Sequence, residues 1–222
     1  PLISATFARA FLDVNREAFE LDPAMFDGPL PAYVNCRSPR VKAGLGTIAR
    51  VVSRGQEIYG KKLEFSEALE RVRDYYVPFH EAVQSTINTT QSAFGACILI
   101  DCHSMPSIGL GRLANSANLA DFVLGDCYGS ACASPVMDEA EAWLVKTGYR
   151  VARNSPYAGG FTTRHYGRPT KGVHALQIEI NRALYMNETT LRKKPSFQRL
   201  QRDMETLVAR LGRLDLNGLR AA

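Results

Sequence analysis

Oily and polar positions alternate along this chain in segments that read as alternating strands and helices. Residues 96 to 100, Ala96-Cys97-Ile98-Leu99-Ile100, form an apolar run that ends in Asp101, Cys102, His103 and Ser104. It predicts a buried strand over 95–101 with a polar edge. HALQIEIN (174–181) alternates strictly. Leu176, Ile178 and Ile180 fall on one face, and Gln177, Glu179 and Asn181 on the other. Shorter strands are predicted at 5–16, 121–126 and 149–153. A helix is expected from about Ser66, with Leu69, Val72, Tyr76, Phe79, Val83 and Ile87 at helical spacing and Pro78 as a kink or break. Ser134-Pro135 opens another, with Ser as cap, ending near Gly148. The last opens at Ser196 and buries Phe197, Leu200, Met204, Leu207, Val208 and Leu211. Residues 21–47 read as a long loop, and 49–63 as a possible hairpin. Alternating strands and helices predict an α/β fold around a mixed, mostly parallel sheet, with ligands gathering beyond strand ends.

The 222 residues suffice for one substantial domain. No apolar stretch reaches the roughly 18 to 20 residues that span a bilayer. The first residues, PLISATFARAF, carry no basic leader with a long apolar segment, so a cytoplasmic location is expected. Net charge is +5, without a basic stripe interleaved with aromatics, which argues against a nucleic-acid partner and suits a small anionic substrate. Five cysteines with no CxxC spacing fit neither a disulfide framework nor a structural zinc site. Oligomeric state is not legible.

Chemistry is concentrated in four places. His103 follows a buried strand with Asp101 two residues before it; such a carboxylate can orient a ligating imidazole. The alternative is an ordinary polar strand end. Glu179 lies between Ile178 and Ile180, and Glu is depleted in strands. It is either an outward residue on a half-exposed strand or a carboxylate aimed into a cleft as general base. Asn15-Arg16 closes FLDVNR, and the arginine fork matches a carboxylate. NSPYAGGFTTRHYG (154–167) offers Asn154, Tyr157, two adjacent glycines and Arg164; glycines let backbone approach a ligand. No GxSxG elbow surrounds a serine. The pairs Gly44/Gly46 and Gly109/Gly111 are not followed by the Lys-Ser/Thr of a phosphate loop.

The ordered set FLDVNR, VKAGLGTIARVV, GQEIYGKKL, YYVPFH, LIDCHSMPS, FVLGDCYGSAC, NSPYAGGFTTRHYG and HALQIEINRALYMNE resembles the N-formylglutamate amidohydrolase family across most of the chain. That family belongs with zinc carboxypeptidase-like and aspartoacylase-like hydrolases. The resemblance implies a three-layer α/β/α sandwich and one zinc ion, with His103 as a ligand. It implies Glu179 as the carboxylate that activates water, and Asn15 and Arg16 as holders of a substrate carboxylate. Arg50, Arg153 or Arg164 would hold the second carboxylate, and Asn154 and Tyr157 would shape the pocket. The reaction implied is hydrolysis of N-formyl-L-glutamate to formate and L-glutamate, in histidine breakdown. The alternatives are a hydrolase of another N-acyl amino acid or peptide, and a catalytically silent dicarboxylate-binding protein. In the family an early PHSG-like segment precedes DVNR and supplies further metal ligands. Residues 1–222 are therefore expected to be a single hydrolase domain without that segment, the remaining ligands lying upstream of Pro1.

Overall fold

The computed structural model describes residues 1–52, 55–107, 120–215 and 219–220. Gly109 and Gly111 lie outside them. The chain divides into two compact units, Pro1–Thr86 and Ile87–Ala222.

In the first unit, short turns replace the strand expected at 5–16. Asp13 accepts a hydrogen bond from the Asn15 amide at 3.0 Å, and the Arg16 amide donates back to the Asp13 carbonyl at 3.2 Å. An Asp side chain that satisfies the backbone two residues on closes a turn in place of a strand ladder. The loop over 21–47 contains one 3-10 turn, Pro23–Met25, and one short helix, α1 (Pro39–Lys42). Among the described residues of 49–63, the structure shows isolated bridges where a hairpin was expected. Helix α2 (Phe65–Arg71) runs into a π-turn, Val72–Tyr76, and then into α3 (Val77–Phe94). Pro78 has no amide hydrogen to give the carbonyl four residues back. The Val77 amide bonds the Val72 carbonyl, five residues back, so the helix widens by one residue instead of breaking. Leu69, expected on the buried face, is exposed.

The second unit is built on a mixed four-stranded sheet, in the order β1 (Cys97–Met105), β4 (Val173–Asn181), β2 (Phe122–Gly125), β3 (Val151–Arg153). β1 pairs parallel with β4, β2 parallel with β3, and β2 antiparallel with β4. β1 is longer than the apolar run predicted. Its ladder with β4 continues from Cys97↔Val173 to Met105↔Asn181, so the polar residues 101–104 are strand, not strand end.

One face of the sheet is the core. Phe122 and Leu124 of β2 and Leu176 and Ile178 of β4 pack with helices α4 (Ser134–Lys146) and α6 (Phe197–Leu211). The helices bury Val136, Met137, Ala140 and Leu144, and Leu200, Leu207 and Leu211. Val208 was expected inside but is half-exposed, because the buried stripe of α6 follows positions 200, 207 and 211. α4 is capped by Ala133, one residue before the expected Ser134. The Ala133 amide donates to Nδ1 of His174, whose Nε2 meets the Leu219 carbonyl at 2.7 Å. A carbonyl only accepts, so the ring proton sits on Nε2. His174 is thus a buried tie between segments.

Candidate functional site

The second face of the sheet is polar, and the alternation that makes the core also makes it. Register sets Asp101 beside Gln177 and His103 beside Glu179 on the parallel pair β1 and β4. Directly paired residues project to the same side of a sheet. Val123 and Gly125 of β2 flank Glu179 and Gln177 across the antiparallel ladder. Cys102 and Ser104 project to the opposite side.

The polar side chains of β4 on this face are buried, and Asp101 and His103 of β1 are partly buried. Glu179 is 9% exposed, Gln177 4% and Asn181 5%. This disagrees with the outward-facing alternative for Glu179. Buried polar groups need partners, and several are visible. His103 Nε2 lies 2.8 Å from Asp101 Oδ1. Gln177 Nε2 donates to Glu179 Oε1 at 3.2 Å, and its Oε1 accepts from the Gly160 amide at 2.8 Å. Asn181 Nδ2 donates to the Ala120 carbonyl at 3.3 Å.

The 154–167 loop comes to this face through its glycines. The Cys127 amide donates to the Ala158 carbonyl at 2.7 Å. A Cβ on Gly125 would stand 2.7 Å from the Ala158 carbonyl carbon and 2.9 Å from the Gly159 nitrogen. Gly125→Ala is therefore expected to cost about 1–3 kcal/mol by overpacking, measured as a lowered denaturant midpoint; an unchanged midpoint would mean the loop is not held this closely. Gly160 caps the short helix α5 (Phe161–Tyr166), which packs on β4 and β1.

The remaining residues expected at the site are distributed as follows. Tyr157 packs against the cluster of Met105 and Val123, on the polar side of the sheet. Asn154 holds a neighbouring loop: its Oδ1 accepts from the amides of Asp126 and Tyr128, and its Nδ2 donates to Asp126 Oδ1 at 2.8 Å. Arg164 is exposed on α5, and its carbonyl accepts from Arg168. Arg153 pairs with Asp138 and Glu141 at the surface.

In the first unit, Asn15 is buried at the 13–16 turn. Arg16 beside it donates to the carbonyls of Leu45 and Asn15 and lies 3.6 Å from Asp13. Burial pulls its guanidinium below the ordinary value, against the attraction of Asp13. Arg50 pairs with Asp22 at 2.8 Å and Glu57 at 3.3 Å. The hydrogen bond with Asp22 is the main cause of its raised pKa.

The zinc expected from the resemblance meets a limited donor set. The Asp101–His103 pair matches the arrangement in which a carboxylate orients a ligating imidazole. Zinc takes three protein donors even at catalytic sites. Among the described residues no group of three or more His, Cys, Asp or Glu comes together that could hold a metal ion. These residues do not by themselves make up a zinc site.

Sequence reading singled out His103 and Glu179 but passed over Gln177 as a member of the site. The available signal was its place two residues before Glu179, on the same polar face of an otherwise oily strand.

Residues 1–186 match the N-formylglutamate amidohydrolase family. The chain is 30% identical over 196 residues to an N-formylglutamate deformylase of Pseudomonas putida, covering 85% of this chain and 65% of that protein. It is 30% identical over 141 residues to an N-formylglutamate deformylase of Pseudomonas aeruginosa, covering 60% of this chain and 51% of that protein. The chain thus spans less than two thirds of the length of either curated relative. The crystal structure of N-formylglutamate amidohydrolase from Ralstonia eutropha JMP134 superposes with a TM-score of 0.87 at 38% identity, over 93% of this chain and 74% of that one. A protein of Agrobacterium tumefaciens shares the fold, with a TM-score of 0.59 at 20% identity over 91% of this chain and 68% of that one. With the family match running over most of its length, the chain belongs to the N-formylglutamate amidohydrolase family.

Proposed function

We propose that the protein hydrolyses the N-formyl amide of N-formyl-L-glutamate to formate and L-glutamate, using the polar face of β1 and β4. The observation that carries this reading is the pairing of partly buried His103 with buried Glu179 in register on one polar face. Family membership supplies the reaction type, and the names of the Pseudomonas and Ralstonia relatives supply the substrate.

In this reading the Glu179 carboxylate takes a proton from the attacking water and passes it to the departing amine. Asp101 fixes the orientation of the His103 ring by accepting from Nε2. Tyr157 and the glycine loop shape the wall of the pocket. Asn15 and Arg16 hold one substrate carboxylate, and Arg164 is the candidate for the second. Arg50 and Arg153 are weaker candidates, since each already faces two carboxylates.

Zinc dependence with His103 as one ligand, a role in histidine breakdown and a cytoplasmic location belong to the same proposal. Near-stoichiometric zinc in the purified full-length protein is expected, and its absence would count against the metal. Among the described residues no helix is long and apolar enough to cross a membrane.

Arg16→Ala is expected to weaken substrate binding by about 2–5 kcal/mol if the ion pair with substrate is buried, read as a raised KM. An unchanged KM would remove Arg16 from carboxylate binding. The reaction itself is tested by incubating the full-length protein with N-formyl-L-glutamate and, separately, with N-acetyl-L-glutamate and a formylated peptide. Formate and glutamate in equal amounts from the first are expected. Preferred turnover of another compound would indicate a different acyl substrate, and binding without turnover would indicate a silent dicarboxylate binder.

A further inference from the structure

Gln177 is buried, mid-strand and bonded at both ends of its amide. The Gly160 amide can only donate, so the acceptor end of the Gln177 side chain must face it, at 2.8 Å. That leaves the NH2 group facing Glu179 Oε1, at 3.2 Å. The orientation of the amide is thus fixed by chemistry on one side, and an ionised carboxylate, which only accepts, matches it on the other. The two residues share one strand and one face, so the contact needs no rearrangement of the sheet. Gly160 in turn opens α5 and ends the glycine segment that closes over Gly125. A single side chain therefore joins the loop to the carboxylate proposed as base.

We infer that Gln177 is a positioning residue for this hydrolysis: it aims the Glu179 carboxylate by donating from Nε2, and it ties that aim to the position of the glycine loop through Gly160. The inference rests on the assignment of Glu179 as base. Misplacing a reacting group by about 1 Å can cost 100-fold in rate, and losing one of several anchors should cost less.

Two substitutions separate the two bonds. Gln177→Met removes both and adds no charge. Gln177→Glu keeps an acceptor for the Gly160 amide but sets a second carboxyl against Glu179, where two like charges compete for one proton and the base is disturbed. Each is assayed in the full-length protein with N-formyl-L-glutamate, beside Glu179→Gln, with thermal melting to establish folding. In both Gln177 variants kcat is expected to fall roughly 10- to 100-fold, with KM within about twofold of wild type. If Gln177→Glu does not fold, the same split in Gln177→Met carries the test.

An inactive Glu179→Gln with wild-type kcat in the folded Gln177 variants would overturn the positioning role alone. So would a raised KM at unchanged kcat. A fully active Glu179→Gln would overturn the base assignment, and the positioning role with it.

Discussion

Glu179→Gln is expected to abolish most turnover of N-formyl-L-glutamate while leaving the fold intact. The substitution is isosteric, and the carboxamide oxygen it introduces can still accept from Gln177 Nε2, as Glu179 Oε1 does at 3.2 Å. The Gly160 amide remains bonded to Gln177, so the loop has no reason to move. What is lost is the ability to take up a proton at the reacting water. General acid–base groups contribute about 100- to 10,000-fold, and kcat should fall by that factor while KM holds. Steady-state kinetics on the purified variant, with circular dichroism to confirm the fold, measures it. A kcat within twofold of wild type would remove Glu179 from the mechanism.

Phe122→Ala is expected to be strongly destabilising to the second unit, since Phe122 is one of its largest fully buried side chains. Phe122 is 0% exposed and sits on the core face of β2. Its ring meets that of Tyr149 edge-on at 4.9 Å. Truncating a buried phenylalanine costs about 3–5 kcal/mol, through lost burial and the cavity left behind. That is a large share of the roughly 5–15 kcal/mol that separates folded from unfolded domains. β2 also carries the antiparallel ladder to β4, with Phe122 opposite Ile180 and Val123 opposite Glu179. The damage should therefore reach activity as well. Urea unfolding followed by fluorescence measures the cost, and a loss below 1 kcal/mol would mean the core is not organised around this ring.

Where the chain's own alternation decides a structure, the sequence was legible. HALQIEIN has one oily and one polar set of positions, and β4 spans Val173–Asn181 with Leu176 and Ile178 in the core and Gln177 and Glu179 on the other side. The end of β1 was less legible, because residues 101–104 are polar. What extends the strand to Met105 is the ladder with β4, which a local reading of 96–107 cannot contain. ATFARAFLDVNR (5–16) reads as extended for a similar reason. Its apolar residues suit a strand, but the Asp13 carboxylate bonds the Asn15 amide and closes a turn.

Pairing between distant side chains was the least legible. Arg50 reads as an available cation in the sequence, yet Asp22 and Glu57 face it. Asn154 reads as a pocket residue, yet its amide bonds Asp126 and Tyr128. Gln177 shows the reverse case. Its bonds to Gly160 and Glu179 depend on the glycine loop coming close to Gly125, a tertiary approach that no spacing encodes.

The most direct measurement is a crystal structure of the full-length Glu179→Gln protein with N-formyl-L-glutamate bound. The formyl carbon is expected over the polar face of β1 and β4, with a single water between it and the side chain at position 179, about 3–3.5 Å from the carbon it would attack. A ligand seated elsewhere, or turned so that its formyl group points away from both position 179 and His103, would contradict the account.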